Sequence, residues 1–248
     1  MTLALIILFC LLGSVVAVGL AGLTLLLKER GMKRLTVHAV NYATGTLLGA
    51  ALLGLIPHAP RSMSGGSVLA AVLAGIVLFF ILEKMMIWRH CHRGACELHS
   101  SAGTLILLGD SIHNFVDGVA IAAAFSSSVP LGIAASVAVC AHEVPQEVGD
   151  FAILLEGGYS RARAFAYNAI SSTCAVLGAI LTCFFLVSLQ SAVPYLMSFS
   201  AASFLCIALA DLVPVRRAEA NLRGFACQVG CLFLGVGTIA ALHMQPRW

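Results

Sequence analysis

Gly109-Asp-Ser-Ile-His-Asn-Phe-Val-Asp-Gly118 and Ala141-His-Glu-Val-Pro-Gln-Glu-Val-Gly-Asp150 are polar insertions in otherwise apolar runs. If those runs cross a membrane, each charge at that depth costs at least ~2.5 kcal/mol and must line a pathway or meet a partner. Composition decides that condition. Of the 248 residues, 60% are hydrophobic and 10% charged, with a mean hydropathy of +0.99, whereas soluble domains carry about 25% charged residues. The chain reads as an all-α, polytopic membrane protein. Its net charge of +3 is dispersed over short loops and forms no basic stripe, which sets nucleic acid aside as a partner.

Eight apolar runs are long enough for a hydrocarbon core, which takes about 20 residues. They lie at roughly 3–27, 35–57, 66–87, 102–125, 130–155, 164–188, 192–214 and 224–243. The connections are rich in turn formers, as in Ser126-Ser-Ser-Val-Pro130 and Glu156-Gly-Gly-Tyr-Ser160. The first run lacks a charged leader and exceeds a signal-peptide core, so it reads as a spanning helix. The whole of 1–248 reads as a single transmembrane domain. Of the fourteen lysines and arginines, all but Arg61 and Arg247 fall on the side of the odd-numbered loops. The positive-inside rule then places those loops in the cytoplasm and both termini outside. Cys10, Cys140, Cys174, Cys183, Cys206, Cys227 and Cys231 sit within apolar runs and read as packing residues. His38 and His243 read as lone interfacial histidines near helix ends.

In the fourth run Asp110, His113, Asn114 and Asp117 stand at i, i+3, i+4 and i+7, on one helix face. In the fifth, His142, Gln146 and Asp150 stack at intervals of four, with Glu143 and Glu147 on the flank. Neither face suits lipid, so the two are expected to meet. Imidazole with carboxylate is a ligand set for a divalent transition metal: zinc, iron and manganese all fit, and histidine tilts the choice to zinc. Pro145 removes a donor inside the fifth helix and frees the carbonyl near Ala141, a break usual where a helix lines a cavity. A buried network that only fastens the helices together is the structural alternative, and the number of polar groups argues against it.

The paired block His113-Asn-Phe-Val-Asp-Gly118 and His142-Glu-Val-Pro-Gln-Glu-Val-Gly-Asp150 resembles the signature of the ZIP family of zinc and iron transporters, in its LIV-1-like form. The likeness extends to Gly75-Ile-Val-Leu-Phe-Phe-Ile-Leu-Glu-Lys84, Tyr167-Asn-Ala-Ile-Ser171 and Ala208-Leu-Ala-Asp-Leu-Val-Pro214, and so covers nearly the whole chain. It implies a 3+2+3 bundle whose outer triplets are inverted repeats. It implies a mid-membrane metal held by His113, Asp117 and His142, and an adjoining position using Asn114 and Glu143. The candidate set is completed by Gln146 and Glu147, with Asp110, Asp150 and His58 along the pathway. Three positions depart from the family pattern. Gln146 replaces a second histidine and weakens the second metal position, Val215 stands where an acid is common, and His58 stands where a glutamate is common.

The expected activity is movement of Zn²⁺, with Fe²⁺, Mn²⁺ and Cd²⁺ as further candidates, into the cytoplasm, with no organic cofactor. Affinity should fall in acid, because protons compete for the same imidazole and carboxylate atoms. The expected setting is a lipid bilayer, as a bacterial inner membrane protein, and a homodimer is compatible with the pattern. The 88–101 loop carries His90, Cys91, His92, Cys96 and His99, a candidate cytoplasmic trap for the ion. The competing class is a membrane-embedded zinc hydrolase using Glu143 or Glu147 as base. That reading fails at His142-Glu-Val-Pro-Gln146, where glutamine stands in place of the second histidine of His-Glu-x-x-His. A proton-coupled carrier of an organic solute would need pocket aromatics or an arginine clamp, which the spans do not offer.

Overall fold

The computed structural model describes residues 2–24, 29–59, 63–91, 98–188, 190–212 and 222–243. Among the described residues there are helices and no strand. In chain order, α1 is Thr2–Thr24, and α2 is Glu29–Gly49, running on through a π-helical stretch Ala50–Leu55 and a last turn Ile56–His58. Next come α3, Gly65–Cys91, α4, Leu98–Ser127, and α5, Val129–Glu156. The helix α6 comes in two pieces, Arg161–Ser172 and Cys174–Ser188. Then α7 is Val193–Cys206, ending in a second π-helical stretch Ile207–Leu212, and α8 is Leu222–His243.

Six of these rods contain stretches long and apolar enough to cross a membrane: Leu3–Leu23, Leu35–His58, Gly65–Leu82, Arg161–Phe185, Val193–Ala210 and Gly224–Leu242. The two remaining are α4 and α5, of 30 and 28 residues. At 1.5 Å per residue they are long enough to span, and it is their polar residues that dilute the hydropathy. Apolar side chains face outward along α1 (Leu8, Leu12, Val15), α3 (Leu69, Leu73, Val77) and α8 (Phe225, Phe233, Leu234). Asp110, Asn114, Asp117, His142, Glu143 and Glu147 are buried. A soluble protein shows the opposite distribution, and burial of ionisable groups within a bundle is what lipid enforces.

The main helix pairs are α2 with α8, α4 with the second half of α6, α1 with α5, and α3 with α7. Two of them cross on glycines. A Cβ on Gly45 would strike the Leu232 carbonyl and one on Gly235 the Tyr42 carbonyl. In the α4 and α6 pair, Gly118 and Gly178 meet the Ala175 and Phe115 carbonyls in the same way. Such contacts need small residues, and without a hydrophobic drive between helices in lipid, close packing is what holds them.

The breaks in the helices have local causes. Both π-helical stretches end two residues before a proline, in Leu55-Ile-Pro57 and Leu212-Val-Pro214. Proline lacks the N–H for the bond four residues back and its ring crowds that carbonyl, so a wider turn takes up the misfit. In α6 the Thr173 hydroxyl donates to the Ile170 carbonyl at 2.6 Å, and the Thr173 N–H bonds the same carbonyl, which tightens the turn. Between α4 and α5 a single residue, Ser128, makes the connection and caps α5 by accepting the Leu131 N–H. The two polar helices thereby form a hairpin.

Candidate metal centre

Across the α4 and α5 hairpin, His113 and Asp117 meet His142 and Glu143. Each offers one ligand atom, and these atoms all lie within 4.8 Å of one another. The Nε2 atoms of His113 and His142 are 3.0 Å apart. His142 Nε2 lies 3.1 Å from Asp117 Oδ2 and 3.5 Å from Glu143 Oε1. His113 Nε2 lies 3.4 Å from Asp117 Oδ2 and 3.3 Å from Glu143 Oε1. An ion bound to nitrogen and oxygen at about 2.0–2.2 Å holds tetrahedral neighbours about 3.3–3.6 Å apart, so four such atoms fit one ion.

The hydrogen bonds around the group leave its inner atoms bare. His142 Nδ1 is 3.0 Å from the Ala138 carbonyl, which can only accept, so Nδ1 carries a proton and Nε2 is the nitrogen left to face the centre. A second partner that fixes the tautomer is the usual support of a metal-binding imidazole. Both carboxylate oxygens of Asp117 and of Glu143 are buried and accept no hydrogen bond from the described residues. Lone pairs and carboxylates packed this closely repel unless a cation lies among them. Three of the four side chains are sealed: Asp117 and His142 at 0% and Glu143 at 3% exposure, against 17% for His113. The ring of Phe204, from α7, stands 6.2 Å from that of His142. His113 borders an apolar cavity of about 380 Å³ that also touches Ile76, Phe79, Gly109 and Cys206, between α3, α4 and α7.

Next to this group lies a second set. Asp110 Oδ1 accepts from Asn114 Nδ2 at 3.0 Å and from Gln146 Nε2 at 3.2 Å. The two amides thus hold the carboxylate and, through Gln146, join α5 to α4. Along α5, Glu147 is fully buried with both carboxylate oxygens unbonded, and Asp150 is half-buried. His58 is placed apart, at the last turn of α2, its Nδ1 2.8 Å from the Gly54 carbonyl. His92 and Cys96 lie outside the described residues, as do the side chains of His90, Cys91, His99 and His243.

Two features were not visible in single-helix patterns. Asn168 of α6 is buried and donates to the Glu147 carbonyl at 3.4 Å, steadying α5 beside its proline, and only the family likeness of Tyr167-Asn-Ala-Ile-Ser171 pointed to it. His38 is not alone: its Nδ1 is 3.9 Å from the sulfurs of both Cys227 and Cys231.

Comparison with known proteins identifies the family. The family model described as ZIP Zinc transporter matches residues 89–243. Zinc transporter ZIP13 of Danio rerio is 30% identical over 95% of this chain and 87% of its own length. Zinc transporter ZIP6 of Homo sapiens is 40% identical over 50% of this chain, a stretch making up 17% of that longer protein. The Zinc transporter foi of Drosophila melanogaster is 36% identical over 60% of this chain and 21% of its own length. With the helical bundle and the buried polar hairpin, these matches establish that the chain belongs to the ZIP zinc transporter family.

Proposed function

We infer that the chain carries Zn²⁺ across the membrane to the cytoplasm through the His113, Asp117, His142 and Glu143 group between α4 and α5. The observation that carries the reading is that four donor atoms, three of them on buried side chains, converge at spacings suited to one ion. Family membership makes the protein a metal transporter and not an enzyme. Gln146, the residue that breaks the hydrolase motif, donates its amide to Asp110.

The direction rests on charge. Glu143, Glu147 and Asp150 form a descending series of acids along α5, each three or four residues beyond the last, toward the end followed by Arg161 and Arg163, which the positive-inside rule assigns to the cytoplasm. Glu147, whose buried carboxylate oxygens accept no hydrogen bond from the described residues, is the next acceptor for an ion leaving Glu143. Imidazole and carboxylate also accept Fe²⁺, Mn²⁺ and Cd²⁺, so competition by those ions belongs to the same reading. The bundle of inverted repeats has support of its own. Exchanging α1 with α6, α2 with α7, α3 with α8 and α4 with α5 carries the α2–α8 pair onto α7–α3 and the α4–α6 pair onto α5–α1. The two helices with π-helical stretches, α2 and α7, exchange as well. The named relatives are animal proteins and lend no support to a bacterial membrane.

The test is zinc binding to purified, thiol-alkylated protein, so that cysteines contribute nothing. The expected result is an ion bound with an affinity that falls at least ~100-fold in His142→Ala, with the helical circular dichroism unchanged. Equal affinity in the variant would remove His142 from the centre.

A further inference from the structure

Outside the hairpin, one other group of metal-binding side chains converges among the described residues: His38 of α2 with Cys227 and Cys231 of α8, their ligand atoms all within 4.8 Å of one another. The two cysteines, four residues apart, share a face of α8, and His38 Nδ1 stands 3.9 Å from each sulfur. An ion bound at about 2.3 Å to sulfur and 2.0–2.1 Å to nitrogen keeps tetrahedral ligands about 3.5–3.8 Å apart, so each nitrogen–sulfur pair is within a few tenths of an ångström of ligand spacing. The helices bearing it are fixed. Gly45 and Gly235 cross at backbone contact, and the Tyr42 hydroxyl lies 3.3 Å from Thr238 Oγ1. Three residues set on two packed helices are held in place before any ion arrives.

We propose that His38, Cys227 and Cys231 form a second metal site, for a thiophilic divalent ion such as Zn²⁺ or Cd²⁺. Its donor set differs from that of the hairpin. Two thiols and an imidazole favour zinc and cadmium over iron, manganese and magnesium, where a carboxylate-rich centre discriminates less. Three protein ligands leave a fourth position for water or an exchanging ligand, and Cys227 is exposed, so the ion has a way in. His38 and Cys227 each stand three residues beyond the start of their spans at Leu35 and Gly224. Lys33 and Arg34 precede one span, and Arg216, Arg217 and Arg223 the other. The site therefore lies at the basic, cytoplasmic face, where the delivered ion emerges. An ion there ties α2 to α8 by three coordinate bonds.

Cadmium titration of the full-length, reduced protein tests this in a C91S/C96S background, which removes the thiols of the 88–101 stretch. A saturable thiolate-to-cadmium ultraviolet band should appear, to which cadmium at the thiol-free hairpin contributes nothing. The band should vanish on adding C227S/C231S, need at least ~10-fold more cadmium in H38A, and persist in H142A. No band, or a band that survives loss of both cysteines, overturns the proposal. Should the quadruple variant fail to fold, maleimide labelling of the wild type decides: zinc should slow modification of Cys227, and His38→Ala should abolish that protection. Labelling of Cys227 at the same rate with and without zinc contradicts the site.

Discussion

On the proposed reading, Gln146 limits how many ions the hairpin can hold. Its amide nitrogen donates to Asp110 Oδ1, which already accepts from Asn114, so three side chains that could have made a second position are spent on one another. An imidazole at 146 would offer a lone pair where the amide now offers a proton. Gln146→His is therefore expected to add a second zinc equivalent to the thiol-alkylated protein by equilibrium dialysis, and a stoichiometry that stays the same would contradict this role for the position. Much at this scale is legible in the sequence. The i, i+3, i+4, i+7 spacing of Asp110, His113, Asn114 and Asp117 is enough to put them on one face, because helix periodicity is local. The His38 site is not legible in that way, since His38 and Cys227 are 189 positions apart and each alone looks like a packing or interfacial residue. Their meeting depends on the register between α2 and α8, which no single helix encodes.

The α2 with α8 and α4 with α6 pairs are registered by glycine. At Gly178 the Phe115 carbonyl of α4 occupies the space a Cβ would take, and backbone cannot step aside as a side chain can. Gly178→Val is expected to cost at least about 1–3 kcal/mol, the range for overpacking, and to lower the melting temperature and folded yield. Gly237→Ala meets nothing within 4 Å and should change neither, as fluorescence-detected thermal melting would check. The presence of the helices follows from run length alone. Their internal breaks do not: hydropathy is continuous through Thr173 and through Ala50–Leu55. Pro57 and Pro214 forecast disturbed turns without saying whether a kink or a widened π turn absorbs them.

Among the described residues the molecule is apolar outside and acidic at its centre, and the loop pattern of the sequence assigns all but two of its cations to one side. That distribution follows from taking lipid as the solvent. Apolar side chains cost nothing on the periphery, carboxylates are tolerable only where a cation can reach them, and lysine and arginine stay on the side from which they are not translocated. Sequence alone carries most of this, because hydropathy and loop charge are sums over residues. The helix pairing that brings α4 against α5, and both against α6, is a property of the packed bundle and is written in no single run. The central claim is that a metal ion crosses by way of the α4 and α5 cluster, and zinc influx into proteoliposomes loaded with a zinc-sensitive dye tests it most directly. Wild-type protein should give saturable influx, and the double variant His113→Ala, His142→Ala should fall to the rate of protein-free vesicles. Influx equal to wild type in a folded double variant would contradict the claim.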